Sequence, residues 1–221
     1  MFVSKRRAIV VPQREHARLS GQLAAIWGNR EVVRPPVDPT LLGLAGTLHD
    51  RGYPPMDEIS IGDASRDIWL ETQARGFAMT HPDPTVDLIV LAHLQRLVSF
   101  HRDDASIRLA EHIRHQIDTS LVRAGLDTGT LADIDTVTRV VDMISFHLCF
   151  EESSDEEYLV YAGRKGERRR LSVATREDGE VRISPWPLSV PVLSGFILGY
   201  HRDGYPDDPI ETVIRYRIQP E

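Results

Sequence analysis

The chain has 221 residues, 41% hydrophobic and 27% charged, a mix that fits a globular protein and excludes a disordered tail. A single cysteine, Cys149, excludes an internal disulfide and a cysteine-rich zinc site. The net charge of −7 gives no basic footprint, so no nucleic-acid partner is expected.

Apolar residues at Ala17, Leu19, Leu23, Ala24, Ile26 and Trp27 predict a first helix over Gln13–Trp27. Pro35 and Pro36 break the chain, and Asp38 with Pro39 reads as the N-cap and first position of a second helix. That helix runs to His49-Asp50 and is ended by Gly52, Pro54 and Pro55. A third is expected from a cap at Asp63 to Phe77, and a fourth from Asp83-Pro84 to about Phe100. Ser106–Ala124 and Leu131–Phe150 complete an irregular helical bundle. An acidic connector, Glu151 to Glu157, then leads to short strand-like runs between Tyr158 and Ile218, with a hairpin at Glu177-Asp178-Gly179-Glu180. The expected fold is mainly α: a helical core over 1–152 and a small antiparallel β extension over 153–221 packed on it. That extension is open to lining a pocket, forming a homodimer interface or covering apolar helix surface. No apolar run reaches the roughly 18 residues of a membrane span, and no apolar segment follows Lys5-Arg6-Arg7, so a cytoplasmic protein is expected.

With nine histidines and one cysteine, any bound metal must have nitrogen and oxygen ligands. His49-Asp50 is the sharpest signal. Adjacent residues do not share a helix face, but at a helix end the second can turn back toward the first. Ala17, Ser20 and Gly21 allow close packing of the helix that carries His16. Asp142, in Val140-Val141-Asp142-Met143-Ile144, must pair with an arginine such as Arg139 or chelate a cation. His93 lies in the most apolar helix, and on its own reads as a core histidine.

A histidine on an early helix, then His-Asp, then an aspartate on a late helix resembles the HD-domain superfamily of metal-dependent phosphohydrolases. The chain further resembles a mainly bacterial branch of it, a domain of unknown function. The shared elements are Pro-Gln-x-x-His-Ala-x-x-Ser-Gly at Pro12–Gly21, His-Asp-x-Gly-aromatic at His49–Tyr53, Ile68-Trp69, Leu91-Ala92-His93 and Pro185-Trp186-Pro187. The resemblance implies an HD-type bundle in which His16, His49, Asp50 and Asp142 hold a divalent transition metal: Mn, Zn, Fe, Ni or Co. The branch carries a histidine where this chain has Ser65, which favours a single ion and leaves His93 for other work; His81 or His101 would have to compensate for a second.

The implied activity is hydrolysis of a small phosphorylated or nucleotide-like substrate. His93 would act as general base or stabilise phosphate charge, and Asp57 would hold or deprotonate the water. Arg51 would contact phosphate, Arg18 the pocket rim, and Tyr53 would supply an aromatic wall. Two alternatives stand: a non-catalytic ligand-binding or regulatory protein with the same fold, and a diiron oxygenase, which needs more ligands than Ser65 leaves. His81, His101, His112, His115, His147 and His201 otherwise read as packing or surface, Cys149 as inert packing, and Arg164–Arg170 as a solvated hairpin.

Overall fold

In the computed structural model, which describes residues 1–53, 57–164 and 166–221, the chain opens on two strands that its residue pattern did not suggest, β1 (Phe2–Val3) and β2 (Ile9–Val11). The helices are α1 (Gln13–Ala25), α2 (Pro39–Leu48), α3 (Arg66–Ala78), α4 (Pro84–Val98), α5 (Asp104–Ala124) and α6 (Thr128–Phe150). The closing strands are β3 (Ser154–Tyr161), β4 (Arg168–Thr175), β5 (Glu180–Ser184), β6 (Leu193–His201) and β7 (Glu211–Pro220). Pro54 and Pro55, expected to end α2, and Lys165 of the basic run lie outside the described residues.

Local chemistry sets the helix starts. The Asp38 carboxylate accepts from Thr40 N at 2.7 Å and the Asp83 carboxylate from Thr85 N at 2.8 Å, so both caps are where the Asp-Pro pairs put them. For α3 the cap is Ser65 and not Asp63: its hydroxyl accepts from Ile68 N at 3.3 Å.

The strands form one curled sheet in the order β1-β2-β6-β7-β5-β4-β3, antiparallel except for the parallel β5–β7 pair. This corrects the mainly α expectation. The fold is α/β, and it is not a recognisable HD helical domain. Both ends of the chain feed the same sheet: Ile9 pairs with His201 and Val10 with Tyr200. The acidic connector is mostly β3, an edge strand that points Asp155 and Glu157 to water while Tyr158 and Val160 turn inward. Charge on an edge strand is a common device against edge-to-edge pairing, and here it hides the strand from a pattern search. Helices and sheet share one apolar core, in which Leu19, Ile89 and Val141 join Leu171, Ile183 and Ile197. No helix among the described residues is long and apolar enough to cross a membrane.

Candidate metal centre

The centre lies where α1, α2 and α6 meet. A Cβ on Gly21 would stand 2.7 Å from Gly43 O and 2.9 Å from Thr47 N, so α1 and α2 touch through their backbones. That approach brings His16, on α1, against His49, which closes the C-terminal end of α2. Their Nε2 atoms are 3.0 Å apart. Asp142, on α6, places Oδ1 at 3.2 Å from His16 Nε2 and 3.4 Å from His49 Nε2. Asp50 turns back as expected at a helix end, with Oδ2 at 3.6 Å from both Nε2 atoms. Four side chains named from sequence therefore converge.

The outward hydrogen bonds fix which nitrogen faces the centre. His49 Nδ1 is 2.7 Å from Gly46 O, an acceptor only, so Nδ1 carries a proton. Ser145 Oγ is 3.0 Å from the Asp142 carbonyl and gives it its one proton. The Ser145 oxygen then accepts from His16 Nδ1 at 2.6 Å and from Ser20 Oγ at 2.7 Å. Both Nε2 atoms thus point lone pairs at the same spot. Two such lone pairs 3.0 Å apart need a proton or a cation between them. Donors at about 2.0–2.2 Å from one ion, spread at roughly 90–109°, are about 2.8–3.6 Å from one another. The four separations of 3.0, 3.2, 3.4 and 3.6 Å fall in that range. His16, His49 and Asp142 form one group that could hold a metal ion, and His49, Asp50 and His93 form a second.

The surroundings of His49 favour its charged form. Its burial works against the charge, but the carboxylates of Asp50 and Asp142 outweigh burial and push its pKa up to about 9. Burial likewise works against the charge of Asp142, yet the imidazoles of His16 and His49 at its Oδ1, with the His49 charge, hold it well below the usual carboxylate range. Asp50 is lowered as well: burial is outweighed by the His49 charge and the His93 hydrogen bond.

His93 plays a different part from the other two histidines. Its Nδ1 accepts from Arg96 Nη2 at 2.9 Å, so its proton is on Nε2 and is donated to Asp50 Oδ1 at 3.2 Å. Burial keeps the ring from charging, and its pKa is lowered. Gln13, one turn before His16, donates its amide to Asp50 Oδ2, while its own Oε1 is buried with no hydrogen-bond partner among the described residues. Arg96 also pairs with Asp135, its Nε 3.2 Å from Oδ2. Gln13, Ser20, Arg96 and Ser145 are the functional side chains that sequence reasoning missed. Their signal was spacing: Gln13 and His16, His93 and Arg96, and Asp142 and Ser145 are all i, i+3 pairs on helices.

A cavity of about 200 Å³ opens over Asp50, Asp142 and His93. Tyr53 lines it, with its hydroxyl accepting from Gln73 Nε2 at 2.9 Å and its pKa pushed up, mainly by burial. Arg139, rather than pairing with Asp142, also lines it. Arg51 and Arg18 are not brought to this cavity. Arg51 is buried in an ion pair with Asp87 at 2.8 Å, and Arg18 pairs with Glu15 at 3.1 Å beside β6. Asp57 accepts from Gln13 N at 2.8 Å, holding the start of α1 and, through it, the residue that orients Asp50. Ser65 serves as a helix cap. His81 Nδ1 accepts from Asp83 N at 3.1 Å, and His101 lies tilted against Trp69 with ring centres 4.5 Å apart; neither belongs to a metal-type group among the described residues. Burial pushes the Cys149 thiol up, which keeps it protonated and inert.

A family model described as "Protein of unknown function (DUF3891)" matches residues 1–194, and the chain belongs to that family. The match includes the whole candidate centre and stops at the start of β6. No curated protein and no solved structure matches the chain. Family match and curled mixed sheet together overturn the HD-domain resemblance: the order His, His-Asp, Asp is common to both readings, the fold around it is not.

Proposed function

We propose that this DUF3891 chain is a hydrolase that uses one divalent transition-metal ion to cleave a small phosphorylated substrate. The observation that supports it best is the pair of His16 and His49 Nε2 atoms, 3.0 Å apart and faced by two aspartates, beside a cavity that His16, Asp50 and Asp142 line together with Arg96 and Arg139. Two imidazoles and two carboxylates suit Zn, Mn, Fe, Co or Ni and leave positions for water and substrate. A single ion is favoured because the His93 Nε2–H is spent on Asp50, so His93 offers no lone pair to a second. The ion would supply Lewis acidity, lowering the pKa of water and drawing charge from a phosphoryl oxygen. The chain supplies the rest. His93 and Gln13 each donate to one oxygen of Asp50 and fix its orientation. Arg96 locks His93 in the tautomer this requires.

The test is phosphate release from a panel of phosphomonoesters by metal-loaded protein. Release that disappears in His49→Ala and Asp142→Ala supports the reading. A protein that binds the metal at these residues and releases no phosphate from any member refutes it.

A further inference from the structure

The cavity over the centre is unevenly furnished. Its walls are apolar: Phe2, Met143 and Phe146 on one side, Leu97 and Phe100 on the other. Phe100, just past the end of α4, is 70% exposed. Of its two arginines, Arg96 is held by His93 and Asp135. Arg139 has no carboxylate or carbonyl partner among the described residues; its guanidinium carbon only approaches the Tyr158 ring, 5.8 Å from the centroid. Arg139 and Asp142 are three residues apart on α6 and face the same cavity.

Charge and size narrow the occupant. A divalent ion would cancel Asp50 and Asp142, and Arg96 is matched by Asp135, so Arg139 remains as the uncompensated charge. The occupant should therefore carry a negative group that reaches both the centre and Arg139. An apolar cavity of about 150 Å³ accommodates benzene. A cavity of about 200 Å³ has room for one ring and a phosphoryl group between its walls, whereas a base, a ribose and a phosphate together would have to extend past the exposed Phe100 into solvent.

On the hydrolase reading above, we propose that the substrate is a compact phosphomonoester with an aromatic or short branched apolar group, that Arg139 binds its phosphoryl oxygens, and that it is preferred over nucleotides, whose base and ribose outreach the apolar walls. In the reaction the oxygen of water forms a new bond to phosphorus while the ester P–O bond breaks. The bonding pair leaves on the organic oxygen, which takes one proton from the water, and the products are an alcohol or phenol and inorganic phosphate.

Phenylphosphonate, which has no ester bond to cleave, is the binding probe, titrated into metal-loaded protein by calorimetry beside methylphosphonate and adenosine 5′-monophosphate. Phenylphosphonate is expected to bind at least about tenfold more tightly than either, since a ring buried against apolar walls adds affinity that a methyl group does not. Arg139→Gln is expected to weaken it by about ten- to hundredfold, as for loss of a charged hydrogen bond, and Arg139→Lys to restore part of this. Arg139 is exposed, so both variants should fold; an unchanged melting temperature confirms it. Nucleotide binding as tight as phenylphosphonate, or an Arg139→Gln protein that binds like wild type, overturns the assignment. Phenyl phosphate separates it from the hydrolase reading. If phenylphosphonate binds as expected and phenyl phosphate is not cleaved, the pocket assignment stands and the hydrolase fails. If adenosine 5′-monophosphate is cleaved as well as phenyl phosphate, the hydrolase stands and the pocket assignment fails.

Discussion

A cation that enters between His16 and His49 must displace the proton now held on His49. That proton is bound with a pKa of about 9, because Asp50 and Asp142 together outweigh the burial that opposes it. At pH 7 the metal therefore competes with a proton held two pH units above the solution. Two units correspond to a hundredfold, or about 2.7 kcal/mol, at about 1.36 kcal/mol per unit. Titration with Mn²⁺ by calorimetry from pH 6.5 to 8.5 should show the apparent Kd falling about tenfold per pH unit. Buffers of different ionisation enthalpy should report about one proton released per ion. The stability of the metal-free protein should run the other way. His49 has a folded pKa above its ordinary value near 6.5, so its contribution is complete below pH 6.5 and is lost as pH rises toward about 9. The melting temperature of the metal-free protein should fall across that window, while the loaded protein shows no such fall. Metal affinity that is flat with pH and releases no proton would refute the placement of the cation between these two rings.

Ser145→Ala removes the hydroxyl that receives His16 Nδ1–H and should weaken metal binding by about ten- to hundredfold while the protein stays folded, read by the same titration. Gly21→Ala drives a methyl into Gly43 O and Thr47 N and should lower unfolding free energy in urea by about 1–3 kcal/mol, with metal affinity lost as the helices separate. Asp87→Asn strands the Arg51 charge and should destabilise by about 3–5 kcal/mol, yet the protein that remains folded should still take up one ion, since Arg51 is away from the centre. Asp142 has a folded pKa well below its unfolded value, so its contribution is present above about pH 4 and lost as pH falls further. Urea midpoints below pH 4 should therefore drop less in Asp142→Asn than in wild type.

The helices were legible because their signals are local. Asp38-Pro39 and Asp83-Pro84 announce helix starts, and the apolar periodicity of α1, α4 and α6 needs no tertiary context. The architecture was not, because it rests on short or charged strands. β1 and β2 have two and three residues, too few to show alternation, and β3 opens on a run of three acidic residues, Asp155 to Glu157. Pairing of Ile9 with His201 is a long-range event that no local pattern encodes. The convergence of His16, His49, Asp50 and Asp142 was readable from residue type, from the Ala17-Ser20-Gly21 stripe that lets helices touch, and from His49-Asp50 at a helix end. The cluster's surroundings were misjudged for the arginines. Proximity in sequence favoured Arg51 and Arg18, but the turn after α2 carries Arg51 to Asp87 and the i, i+3 spacing on α1 brings Arg18 to Glu15, while Arg96 and Arg139 reach the cavity from α4 and α6.

On the reading proposed above, His16, His49, Asp50 and Asp142 hold one ion. An anomalous difference map from crystals grown with Mn²⁺ or Zn²⁺, recorded at the metal's absorption edge, tests it most directly. A single peak is expected, about 2.0–2.2 Å from both Nε2 atoms and from an oxygen of each aspartate. Crystals with no peak at this cluster, or with the ion bound elsewhere on the chain, would contradict it.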